Sequence, residues 1–167
     1  MDKSAVKIVL YSAVGVSLVI LLITWMGLAL NFASMAEAAK HVSGAEEKNT
    51  VRFIQWSSLA LFFIALPFLT GSVMSAVRSS SSVHIATLSA GGLLAVVCIV
   101  FMAVAGRLPY ESAEINTEAF TAATAYQAVL IQLLVPVFVM GAAVAVLFVA
   151  GIKKRRAEAA SAEGGSL

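Results

Sequence analysis

Four stretches of this chain are long, apolar and free of charge: about 8–33, 53–77, 85–106 and 126–152. None of them holds Asp, Glu, Lys, Arg or His. A helix needs roughly 20 such residues to cross the hydrocarbon of a bilayer. Lipid offers no partner to a backbone N–H or C=O, so each run satisfies its own groups only as an α-helix. A transmembrane barrel is excluded, because its strands alternate apolar and polar residues. The sequence therefore predicts an all-α integral membrane protein, a four-helix bundle.

Composition points the same way. Of 167 residues, 60% are hydrophobic and 12% charged, where a soluble domain has about half and about a quarter. A single small core cannot hide that excess from water. The first run starts beside Lys3 and Lys7 and ends near Ser34, Met35 and Ala36, as a cleaved leader would. It exceeds the roughly 7–15 apolar residues of a leader, and we read it as a span.

The charged residues set the expected orientation. Lys3, Lys7, Arg78, Lys153, Lys154, Arg155 and Arg156 fall on one side of the four spans. Lys40, Lys48, Arg52 and Arg107 fall on the other, among Glu37, Glu46, Glu47, Glu111, Glu114 and Glu118. The more basic side is the cytoplasmic one, which puts both termini in the cytoplasm. The link from Arg78 to His84 is short, so the spans beside it are expected to run antiparallel. Residues 1–152 form the bundle, and 153–167 read as a basic, unstructured tail.

Two outer connections are expected. The first, about 34–52, contains the helix-favouring Ala36–Lys40, a plausible stop at Ser43-Gly44, and Asn49 or Thr50 as a cap for the second span. In the second, Pro109 breaks the chain, and Glu111, Glu114 and Glu118 recur on one helical face. Glutamates strung along a helix do not converge on one cation, so we read a solvated acidic face.

Several chemistries lack carriers. Cys98 is the one cysteine, which rules out an intrachain disulfide and C-x-x-C redox chemistry. His41 and His84 fall at opposite ends and cannot ligate one haem in a single subunit. No ionisable residue sits inside a span to relay protons or pair with a substrate charge. A formal charge of +2 argues for no nucleic-acid partner. No cofactor is expected, and no catalytic constellation points to an enzyme; a membrane enzyme acting on lipid has the least support.

The spans do carry packing residues. Ala86 and Ala90, Gly91 and Ala95, and Gly141 and Ala145 are small-xxx-small pairs that let helices approach closely. Asn31, Gln55, Gln127 and Gln132 sit toward the outer half and suggest a modest polar network. Pro67 and Pro136 each lack an N–H, leaving the carbonyls of Phe63 and Gln132 without their helical donors. The basic cluster Lys153, Lys154, Arg155 and Arg156 fixes topology at the inner surface.

The expected function is that of an accessory or structural subunit packing within a larger membrane assembly. Its expected partners are the lipid bilayer and other membrane subunits or further copies of itself. The alternative is a small oligomeric channel or transporter component, with a polar path near Gln127, Gln132 and Asn31. The alanine- and valine-rich usage favours a bacterial inner membrane.

Overall fold

A computed structural model describes residues 3–42, 44–78, 80–107 and 117–164. They form four α-helices: α1 (Lys3–His41), α2 (Ala45–Val77), α3 (Ser81–Arg107) and α4 (Thr117–Gly164). All four are long and apolar enough to cross a membrane. No strand occurs among the described residues.

The helices overrun the apolar runs that specify them. α4 has 48 residues, about 72 Å at 1.5 Å per residue, against a hydrocarbon thickness of about 30 Å. It continues through Lys153 and Arg156 to Gly164, where the sequence argues for an unstructured tail. The reason lies in local chemistry. Residues 153–163 are mostly Ala, Glu, Lys and Arg, all good helix formers. They also extend a helix already nucleated in the apolar run, so no new nucleation is needed.

The first connection shrinks for the same reason. α1 runs on to His41 and α2 begins at Ala45, with Gly44 as its extended N-cap. Neither Asn49 nor Thr50 caps α2, because both lie inside it. Lys48 N–H donates to the Gly44 carbonyl at 3.0 Å and closes the first turn. Glu46 and Glu47 fall in that turn, where the helix dipole favours negative charge. At the end of α1, Glu37 pairs with Lys40 at 2.6 Å and lies 3.5 Å from His41, all exposed. Between α2 and α3, Ser80 lends its carbonyl to the His84 N–H at 3.1 Å.

The packing differs from that of a soluble bundle on its outer surface, not in its core. Each helix contacts its neighbour in chain order, α1 closes on α4, and α2 also touches α4. The core holds Leu21 and Leu28 of α1, Leu61 and Phe68 of α2, Leu94 of α3, and Leu130 and Leu133 of α4. The outward faces are as apolar as the core, with Ile23, Leu30, Phe63, Val96 and Phe138 among the exposed residues. A soluble monomer rarely exposes apolar patches above a few hundred Å². Lipid is the solvent these faces suit.

The prolines do not break α2 or α4. Near Pro67, Thr70 Oγ1 donates to the Leu66 carbonyl at 2.9 Å. Pro136 is buried in the core face of α4.

Candidate functional site

Small residues make two kinds of surface. Gly91 is buried, and a Cβ there would lie 2.7 Å from Phe68 Cε2 and 2.9 Å from Phe68 Cδ2. Gly71 meets Thr87 in the same way, its Cβ position 2.5 Å from Thr87 Oγ1. Both glycines are seats for a side chain of the neighbouring helix, and they let α2 and α3 close on each other.

Gly92 and Gly141 behave differently: nothing lies within 4 Å of either Cβ position. They open onto an outward-facing groove of about 360 Å³ between α3 and α4. Gly92, Ala95, Gly141, Ala142 and Ala145 line it, together with Leu88 and Phe138. Of the six expected packing residues, Gly91 is buried against Phe68 and also borders the floor of the groove. Gly141 and Ala145 line the groove, and Ala95 lines it while also packing against the core. Ala90 packs against the core and Ala86 is exposed.

The four amides expected to form a network are not joined by hydrogen bonds. Gln127 Nε2 donates to the Met102 carbonyl on α3 at 3.1 Å. Gly106 makes the space, since a Cβ there would lie 2.8 Å from Gln127 Nε2. Asn31 and Gln55 are half-buried. Gln132 is exposed on the outer face of α4.

Hydroxyls form the polar links inside the bundle instead. Tyr126, almost fully buried, donates from Oη to Ser57 Oγ at 2.6 Å. Ser57 donates in turn to the Phe53 carbonyl at 2.6 Å. Thr87 Oγ1 donates to the Val83 carbonyl at 2.8 Å, so Ser75 is the donor in the 3.2 Å Ser75–Thr87 pair. Ser58 Oγ, Ser72 Oγ and His84 Nδ1 are buried without a partner among the described residues. His84 lies in the first turn of α3, only 3% exposed and edge-on to Phe148. The signal for these residues was in the sequence. Thr50, Ser57, Phe68, Ser72 and Ser75 fall on the helical face of α2 that also carries Leu61 and Ala65.

Trp25 supplies one more link. Its ring stacks on Phe62 with centroids 4.3 Å apart and planes at 14°. Its indole Nε1 donates to the Phe62 carbonyl at 2.9 Å. That carbonyl is one residue from Phe63, whose own carbonyl lost its donor to Pro67.

Glu111 and Glu114 lie outside the described residues, and Glu118 falls in the first turn of α4. At the far end of α4, Lys153, Arg155 and Arg156 are exposed, with Lys154 between them in the helix. Among the described residues, no three of His, Cys, Asp and Glu converge as a metal site. Comparison with protein-family profiles, curated proteins and solved structures gives no match.

Proposed function

We propose that this chain is a non-catalytic integral membrane protein, an accessory or structural subunit that packs within a larger membrane assembly. The observation that carries this reading is the outward groove between α3 and α4. Its small-residue floor leaves open space above Gly92 and Gly141. In lipid there is no hydrophobic force between helices, and close approach over small residues supplies much of the association. The test is whether Gly92→Leu frees the chain from its neighbours while its own fold persists.

The channel reading draws less support. Gln127 is committed to an α3 carbonyl, and the centre of the bundle is filled by Leu61, Phe68, Leu94 and Leu130.

The bundle is antiparallel in this account. Trp25 meets Phe62 while the later Phe32 meets the earlier Trp56. Phe68 meets Gly91 while the earlier Phe53 meets the later Phe101. Falling partner numbers are what oppositely directed neighbours produce. Both termini lie on the cytoplasmic side of a bacterial plasma membrane, following the lysine and arginine bias. Single cysteines placed in a Cys98→Ala background report this. Impermeant thiol reagents are expected to label Ser43→Cys in intact cells and Ser80→Cys only after lysis. The reverse pattern inverts the topology.

A further inference from the structure

The outward face of α4 carries a second surface, which shares only Ala142 with the groove. Gln132, Val135, Val139, Ala142, Val146 and Val149 are all exposed and spaced 3, 4, 3, 4 and 3 residues apart. That alternation of 3 and 4 is the heptad pattern that keeps residues on one seam of a left-handed pair of helices. Any lipid-facing helix has such a seam, α3 included with Leu93, Val96, Val100 and Ala103; the exposed Gln132 amide sets this one apart. Valine has one strongly preferred rotamer in a helix and alanine has none to lose, so packing them costs little side-chain entropy. The outward face of α1 shows Val16 and Val19 together with the more flexible Leu22, Ile23, Met26 and Leu30.

Gln132 is the one polar residue of this seam and stands at its outer end, and its amide bonds to no described residue. Facing hydrocarbon, an amide without a partner is costly. The Gln132 carbonyl adds a second need, since Pro136 gives it no helical donor. An amide both donates and accepts, so it is its own complement. A symmetric interface brings each residue on the axis against its own copy at the same depth.

We propose that α4 pairs in parallel with α4 of a second copy of this chain, with the two Gln132 amides hydrogen-bonded to each other and fixing the register. A partner of different sequence would have to offer an amide at that one depth, and a second copy does so by symmetry. The pairing goes beyond the groove reading and uses the adjoining face of α4, which meets the groove at Ala142.

The test uses the purified full chain in liposomes at low protein-to-lipid ratio, in a Cys98→Ala background. Val135→Cys lies on the seam, while Ile23→Cys and Val96→Cys lie on the outward faces of α1 and α3. Oxidation is expected to give a disulfide-linked homodimer from Val135→Cys and not from the other two. Energy transfer between labelled copies then reads the dimer dissociation constant. Gln132→Leu is expected to weaken dimerisation about three- to thirtyfold, the range for one intramembrane hydrogen bond, and Gln132→Asn to restore most of it. Equal cross-linking at all three positions overturns the proposal. So does a dimer that Gln132→Leu leaves unchanged, or a Val135→Cys variant that forms no disulfide-linked dimer. Loss of the groove interaction in Gly92→Leu does not bear on it, because Gly92 lies on α3.

Discussion

Gly91→Leu is expected to destabilise the bundle severely, while the same change at the next residue, Gly92→Leu, leaves it intact. The two glycines are neighbours in sequence and opposites in surroundings. Even a methyl group at Gly91 would lie 2.7 Å from the Phe68 ring, and Phe68 is fully buried in the core. Overpacking of this kind costs about 1–3 kcal/mol, and a leucine exceeds what the ring can yield. Gly92 has nothing within 4 Å of its Cβ position, and leucine is also the better helix former. Thermal midpoints in detergent are the readout. The mechanism has its own control: Phe68→Ala opens the space that a leucine at 91 needs. The double variant should recover part of the loss, with a coupling of about 0.5–3 kcal/mol between two residues in contact. Independent, additive effects would mean that the Phe68 ring is not what Gly91 accommodates.

Trp25→Ala is expected to be comparably damaging, at about 3 kcal/mol, near the lower end for removing a large aromatic from a packed site. It removes both the stack on Phe62 and the donor to the Phe62 carbonyl. Trp25→Phe keeps a ring for the stack and loses only the indole hydrogen bond, so it should cost about 1 kcal/mol. The indole N–H sits within a span, away from the interfaces where tryptophan usually finds water. Its acceptor lies in the turn loosened by Pro67. If alanine and phenylalanine cost the same, the stack contributes nothing and the clamp between α1 and α2 is the hydrogen bond alone.

The spans were legible because charge-free runs of that length have one solution in lipid. Their ends were less so. Helix-favouring residues at Ala36–Lys40 and beyond Lys153 extend α1 and α4 past the apolar runs, and hydropathy carries no information about that. The small-residue pairs were legible as motifs, but not the direction each one faces. Gly91 and Gly92 differ by about 100° around the same helix, and only the position of Phe68 tells the seat from the groove. The amides were the weakest part of the sequence reading. Depth along the membrane placed Gln127 and Gln132 together, whereas rotation about α4 sends the first to an α3 carbonyl and the second outward. The buried hydroxyls went unremarked because serine and threonine are common in membrane helices. Their face, not their frequency, was the signal.

The most direct test of the subunit account is the size and composition of what the protein carries with it out of the membrane. Wild-type chain and Gly92→Leu are extracted in mild detergent and resolved under native conditions, with helix content and thermal midpoint measured on each. The account predicts that the wild type migrates with other membrane proteins in fixed proportion. It predicts that Gly92→Leu loses them with its helix content and midpoint preserved. A wild-type chain that migrates only with itself, and that conducts ions or small solutes across liposomes holding nothing else, would contradict it.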